Sequence, residues 1–140
     1  MVICLTLFSR SLEMSKYNTA QMLVFSIGAA SAFWEKAFKR FGHKIEKMPE
    51  IKMNSRLTAT AGRAWLKSDF IDLSCYLMEK YPDYFENDTI PHELCHFIAY
   101  RVFGDKGHGP QWKFVMMELG LIPNRLHSMQ TKHQAEKLLK

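Results

Sequence analysis

Two histidines and a glutamate at residues 92–96 carry the clearest chemical signal in the chain, in the pattern His92-Glu93-Leu94-Cys95-His96. Histidines four residues apart lie on one face of an α-helix, about 6 Å apart along its axis, so that both imidazoles can bind one metal ion. Glu93 lies beside that face, where a carboxylate can reach a metal-bound water without being a ligand. The pattern is typical of zinc peptidases, and the metal we expect is Zn²⁺.

A catalytic zinc ion has three protein ligands and an open fourth position, so a third ligand is required. His108 is the best candidate because glycines flank it on both sides, and glycine lets a loop turn sharply back to the helix. Glu118 is the strongest rival, since glutamate also binds zinc. The remaining histidines lie in less constrained stretches, at His43, His127 and His133.

Three residues near the motif have less specific roles. Cys95 points about 60° to one side of His92, so we expect it in the core rather than as a zinc-bound thiolate. Tyr100 is expected to be a packed aromatic, with donation to the developing oxyanion as the alternative. Trp112 is expected to anchor the loop of His108, with substrate contact as the alternative.

A long helix is predicted over residues 17–42, upstream of the motif. Its apolar stripe repeats every three or four residues and is formed by Phe33, Trp34, Ala37, Phe38 and Phe41. Gly42 is a suitable end for this helix, and basic residues gather in its last turns, where the helix dipole favours them.

The motif itself is predicted to lie on a helix over residues 91–103. Pro91 suits the first helical position because its missing amide hydrogen is not needed there. Asp88 or Thr89 is expected to cap the free amides at this end. After a glycine-rich loop, residues 110–120 are predicted to form a further helix.

Three short segments between these helices predict a small, mostly antiparallel sheet, namely Glu50–Asn54, residues 61–66 and Phe70–Ser74. In the third segment apolar and polar residues alternate, as in a half-buried strand, and residues 67–69 suit a hairpin turn before it. Residues 76–81 are predicted to form a short helix and residues 81–87 a loop. This order of elements indicates an α+β domain.

Length and composition fit one compact domain. Of 140 residues, 47% are hydrophobic and 13% aromatic, which is enough to build a core at this length. We expect an N-terminal extension over residues 1–14, the domain over residues 15–122 and a basic C-terminal tail over residues 123–140. The protein is expected to be a monomer.

Cysteine content and hydropathy favour a reducing compartment. Three cysteines, Cys4, Cys75 and Cys95, form neither a CxxC pair nor an even framework for disulfides. The chain lacks a run of about eighteen apolar residues, so no membrane association is expected. We therefore expect the cytoplasm of a bacterium or of a phage-infected cell, including its nucleoid.

A net charge of +5 suits contact with DNA, and equally an ordinary solvated surface. Phosphate contact would require the cations to be grouped on one side of the fold. The candidate cations are Lys36, Lys39, Arg40, Lys44, Lys47, Arg125, Lys132, Lys137 and Lys140. The expected partners are a protein or peptide substrate and, through these cations, DNA.

These motifs together resemble the SprT-like family of zinc metalloproteases, over about residues 18–122. The strongest match combines the motif at residues 92–96 with Gly107-His108-Gly109-Pro110-Gln111-Trp112-Lys113. Upstream, residues 61–65 and 71–74 are similar to the paired strands of that family. The resemblance implies a SprT/Spartan-type catalytic domain with a zincin-like fold.

The resemblance also implies roles for individual residues. It makes His92, His96 and His108 the zinc ligands and Glu93 the catalytic base that activates a zinc-bound water. Family members act on proteins at or near DNA, including proteins covalently trapped on it. Many bacterial members carry a cysteine-rich zinc ribbon after this domain. Since no cysteine follows Cys95, a chain without that ribbon is expected.

Two other functions are compatible with the same residues. One is a nucleic-acid-associated zinc protein without proteolytic activity, which would have four protein ligands. The other is a metal-dependent hydrolase of small amides, which shares all the zinc chemistry. For a peptidase, the substrate is expected to add as a strand to a sheet edge, provided by residues 61–65 or by Phe70–Ser74.

Overall fold

The computed structural model describes residues 17–124, 129 and 131–139. Its first element is a capped helix of 23 residues. This helix, α1 (Thr19–Phe41), starts at a capping box in which Asn18 and Gln21 exchange hydrogen bonds of 2.8 and 2.9 Å. It ends at Gly42, whose φ of 64° lies in the region that favours glycine. The predicted helix over residues 17–42 is thereby confirmed.

The buried face of α1 differs in part from the predicted stripe. Its buried residues are Met22, Ser26, Ala30, Trp34 and Ala37. Phe38 is 41% exposed, so its predicted place in the core stripe is wrong. The reason is geometric, since Phe38 follows the buried Ala37 by one residue and therefore lies about 100° further round the helix.

The sheet has three strands in the order β1-β3-β2, formed by β1 (Glu50–Asn54), β2 (Gly62–Trp65) and β3 (Phe70–Ser74). β2 and β3 form the expected antiparallel hairpin, in which the Asp69 amide donates to the Trp65 carbonyl at 2.8 Å. β1 pairs parallel with β3, so the sheet is mixed. β3 is the central strand, and β2 is an edge.

The two faces of the sheet have different environments. The inner face carries Ile51, Ile71 and Leu73, which are buried in the core below α1. On the outer face the Asp72 carboxylate accepts hydrogen bonds from Asn54 at 2.9 Å, Arg63 at 2.5 and 3.1 Å, and Trp65 at 3.1 Å. One carboxylate on the central strand thus joins all three strands.

A nearly continuous run of helix links the sheet to the motif. Helix α2 (Cys75–Lys80) is followed by a helical turn, Pro82–Tyr84, and a π-helical segment, Phe85–Thr89. These lead directly into α3 (Ile90–Phe103), which carries the motif. The predicted loop over residues 81–87 is therefore wrong, because Pro82 starts a helix rather than ending one.

The predicted cap of the motif helix is also wrong. Thr89 has helical backbone angles and makes no side-chain capping bond, and Asp88 lies within the π-helical segment. Caps serve amides that lack a helical partner, and the helical backbone here continues upstream of Pro91.

Two further helices complete the described part of the chain, α4 (Pro110–Glu118) and α5 (Lys132–Leu139). Lys36 of α1 donates to the Leu119 carbonyl at 2.8 Å, and Arg40 pairs with Glu118 at 2.5 Å. α1 is thereby fastened to the end of α4. None of the described helices combines the length and the hydropathy of a membrane span.

The expected extension over residues 1–14 lies outside the described residues. In the C-terminal segment Met129 is buried, and the Lys132 amide donates to the Thr58 carbonyl at 3.2 Å. The boundaries placed at residues 15 and 122 stay predictions.

Asp72→Asn is expected to lower the free energy of unfolding at pH 7 by about 1–3 kcal/mol, because the amide cannot accept all the bonds made by the carboxylate. Burial raises the pKa of Asp72, but the hydrogen bonds from Arg63, Asn54 and Trp65 outweigh it, so that the net pKa is lowered. The stabilisation by Asp72 is then complete above its unfolded-state pKa of about 4. It is lost as the pH falls through the lower pKa of the folded state.

Urea unfolding of the parent and of Asp72→Asn at pH 7 and pH 3 measures this effect. The difference between the two proteins should shrink at the lower pH. An equal difference at both pH values would contradict a role for the ionised carboxylate.

Candidate metal centre

Three histidine side chains converge on one point between α3 and the loop that follows it. The Nε2 atom of His108 lies 3.1 Å from that of His96 and 3.3 Å from that of His92. The ligand atoms of all three residues lie within 4.8 Å of one another. The helix supplies two of the rings on one face, and the loop brings the third to meet them.

The geometry and protonation of these rings fit a divalent metal ion. Ligand nitrogens at about 2.0–2.1 Å from a tetrahedral ion lie about 3.3–3.4 Å apart, close to the observed distances. Burial and the neighbouring histidines lower the pKa of His92 to about 4 and that of His96 to about 3. Both rings are therefore neutral at pH 7, which is the form that binds metals.

The outer nitrogens of two rings are held by the backbone. The ring of His92 hydrogen-bonds to the backbone of Asn124, and the ring of His96 to the backbone of Gly107. Such bonds fix the tautomer and the orientation of a ligating imidazole. Both therefore direct Nε2 toward the shared point.

The indole of Trp112 packs against all three rings. It is fully buried, with centroid distances of 4.9 Å to His92, 5.4 Å to His96 and 4.6 Å to His108. This position agrees with the expected anchoring of the loop. A rigid aromatic wall also restricts rotation of the three imidazoles.

Asp105 organises the loop that carries His108. Its carboxylate accepts from the Gly107 amide at 2.9 Å and from the Trp112 amide at 3.1 Å, which also caps α4. A Cβ at Gly109 would lie 3.0 Å from Asp105 Oδ2, so glycine is needed for this close approach. Sequence reasoning missed Asp105, because it lies five residues before Pro110 and therefore outside the N-cap position where a local capping signal is sought.

Glu93 lies beside the three histidines and is buried. Its Oε1 atom is 3.8 Å from His92 Nε2, and the residue is 8% exposed. Burial raises the pKa of Glu93 to about 8, and the nearby charge of Asp72 acts in the same direction. The carboxyl group is thus poised to hold or release a proton near neutral pH.

Gly62 of β2 makes room for Glu93. A Cβ at this position would lie 3.1 Å from Leu73 Cδ2 and 3.2 Å from Glu93 Cγ. A side chain at residue 62 would therefore require Leu73 or Glu93 to shift by a few tenths of an ångström. Sequence reasoning placed Gly62 on a strand and did not see this contact.

The alternative ligands lie elsewhere. Glu118 pairs with Arg40, and Cys95 is fully buried in the core, where burial raises its pKa. His43 packs edge-on against Phe38. The side chains of His127 and His133 lie outside the described part of the structure.

Two cavities meet at Gly62, His92 and Glu93. One, of about 370 Å³, is lined by the three histidines together with β2 and Lys106. The other, of about 240 Å³, is lined on its helical side by Tyr84, Asp88 and Thr89. Tyr100 lines a third cavity, which shares Ala64, Leu66 and Lys106 with the cavity of the histidines but is not lined by the histidines themselves.

Comparison with known proteins supports one family. The model of the SprT-like family matches residues 30–133. Protein SprT of Vibrio parahaemolyticus is 33% identical over 113 residues, which cover 79% of this chain and 63% of that protein. Protein SprT of Vibrio atlanticus is 40% identical over 72 residues, which cover 50% of this chain and 43% of that protein.

A third relative, Protein SprT of Photorhabdus laumondii, is 39% identical over 82 residues, covering 56% of this chain and 42% of that protein. The chain spans less than two thirds of the length of each of these curated relatives. No solved structure matches the chain significantly.

Asp105→Asn is expected to weaken zinc binding about 10–100-fold, because the amide cannot accept from both backbone donors that shape the loop. Competition with a chromogenic chelator measures the affinity. Glu118→Gln is the matched control, because Glu118 lies on α4, the helix that follows the loop of His108. Its zinc affinity should equal that of the parent. Weakened binding in Glu118→Gln, with normal binding in Asp105→Asn, would instead identify Glu118 as a ligand.

Proposed function

The chain belongs to the SprT-like family, and from that premise we propose that it is a zinc-dependent metallopeptidase with Glu93 as its general base. One observation carries the proposal. Three imidazoles point their Nε2 atoms at one site, two of them with strongly lowered pKa values, and a buried carboxyl group lies 3.8 Å from one of those atoms. This combination of residues is suited to metal-assisted hydrolysis.

Zinc, when bound, supplies the Lewis acidity that polarises a carbonyl and acidifies water. The protein residues do the remaining work. Glu93 takes a proton from the attacking water and passes it to the leaving amine. Burial raises its pKa to about 8, so the group can hold the proton it accepts until the amine leaves.

Strand β2 is the proposed site of substrate pairing. β3 is paired on both sides, so the expectation that Phe70–Ser74 provides the edge is wrong. Among the described residues β2 is paired on one side only, and Gly62, Ala64 and the adjoining Leu66 line the cavity of the histidines. An extended peptide added to β2 would cross the catalytic centre.

We further propose that the substrates are DNA-associated proteins, including proteins crosslinked to DNA, and that the enzyme works in the cytoplasm as a monomer. The net charge of +5 supports contact with DNA. Two of the candidate cations have internal partners, since Lys36 and Arg40 fasten α1 to the end of α4. The remaining DNA-binding surface is correspondingly smaller.

The alternative is a nucleic-acid-associated zinc protein without proteolytic activity, which would have a closed site with four protein ligands. Within the described residues the cluster contains three members, which favours the open geometry of a catalytic site.

Glu93→Gln is expected to retain zinc and to lose hydrolysis by about 10²–10⁴-fold, because the amide cannot accept the proton. Digestion of a histone by zinc-loaded parent and variant, with and without single-stranded and duplex DNA, measures both activity and activation by DNA. Metal content is measured on the same samples. Hydrolysis at the parental rate by the variant would remove Glu93 from the mechanism.

Gly62→Ala is expected to retain zinc while kcat falls about 10–100-fold, since the added methyl group displaces Glu93 from its working position. Gly28→Ala is the control, because its added Cβ meets nothing within 4 Å, and its kcat should be unchanged. A parental kcat in Gly62→Ala would show that the close contact with Glu93 has no catalytic importance.

A further inference from the structure

We propose that the 240 Å³ cavity beside Glu93 is the pocket for a basic side chain, lysine or arginine, of the substrate residue that follows the scissile bond, and that Asp88 confers this preference. The inference rests on the peptidase function proposed above. It adds the chemical class of substrate residue that the site selects.

The cavity opens onto the catalytic centre and has an acidic lining. It shares Gly62, His92 and Glu93 with the cavity of the three histidines. Asp88 and Glu93 are its two carboxyl groups, and its lining, among the described residues, includes no lysine or arginine. Since Glu93 is committed to proton transfer, Asp88 is the group that meets a substrate side chain.

Asp88 is held in place by the helix that carries the motif. It lies in the π-helical segment that leads directly into α3, four residues before His92, and both side chains line the same cavity. Tyr84 hydrogen-bonds to the Asp88 carboxylate from one turn upstream. A carboxylate has about four acceptor positions, so this bond leaves capacity for an ammonium or guanidinium group.

The direction of β2 determines which substrate residue enters this cavity. β2 runs from Gly62, at the Asp88 cavity, toward Trp65 and the adjoining Leu66, near Lys106. An antiparallel substrate strand, the more stable pairing, runs the opposite way. Its residues after the scissile bond then reach Asp88.

Lys106 also favours a substrate whose basic residue follows the scissile bond. It lines the cavity of the three histidines and not the Asp88 cavity, so a basic residue before the scissile bond would meet a like charge there. A substrate with its positive charge after the scissile bond would meet Asp88 and avoid Lys106.

Peptides with one defined scissile bond test the inference. A cleavage site mapped by mass spectrometry in a digested histone supplies the parent peptide, and the residue after the bond is then arginine, leucine or glutamate. The parent enzyme should cleave the arginine peptide with a kcat/KM at least about tenfold above that of the glutamate peptide. Asp88→Asn should bring this ratio close to one.

Asp83→Asn is the matched control, because it removes the same charge from an exposed residue of the preceding helical turn that does not line the cavity. It should keep the parental ratio. Melting temperatures show whether each variant is folded, and the preference of the parent enzyme is informative without any variant.

A parental ratio near one overturns the inference, as does an unchanged ratio in folded Asp88→Asn. A basic preference confined to the residue before the bond also overturns it, because the substrate direction would be reversed. If the zinc-loaded parent enzyme cleaves no substrate at all, the peptidase proposal itself is overturned, and this inference falls with it.

Discussion

Three imidazole nitrogens that face one another at 3.1 and 3.3 Å repel each other through their lone pairs unless a cation or a proton lies between them. The surrounding structure opposes this repulsion. Burial keeps the rings of His92 and His96 neutral, so a metal ion rather than a proton is the natural counterpart. Asp105 and Trp112 hold the third ring against the helix. The fold thus holds three imidazoles in the arrangement that the ligands of one metal ion require.

The position of Glu93, the proposed base, depends on a second constraint, the close packing of a strand on the motif helix. Gly62 allows β2 to approach Glu93, and the burial that results raises the pKa of that residue. Asp72 acts on the same group from the other face of the sheet, while its own charge is stabilised by Arg63 and other donors from all three strands. Sheet stability and the acidity of the proposed base are therefore linked.

The sequence predicts best what local spacing determines. Histidines four apart require a helix, glycines around His108 permit the returning loop, and alternation locates β3. The parallel pairing of β1 could not be predicted, because strand direction depends on contacts distant in sequence. Residues 81–87 were predicted as a loop because proline, aspartate and asparagine favour turns, yet here the proline occupies the start of a helix. Sequence reasoning also missed the cavity beside Asp88, because the helical turns that line it were expected to be a loop.

X-ray absorption spectroscopy of the zinc-loaded protein tests the central claim most directly. We predict one ion per chain, three imidazole nitrogens at about 2.0–2.1 Å, and no sulfur shell near about 2.3 Å. The variant His108→Ala should lose one imidazole from the spectrum. A sulfur ligand, or a spectrum that His108→Ala leaves unchanged, would contradict the convergence of His92, His96 and His108 on one metal ion.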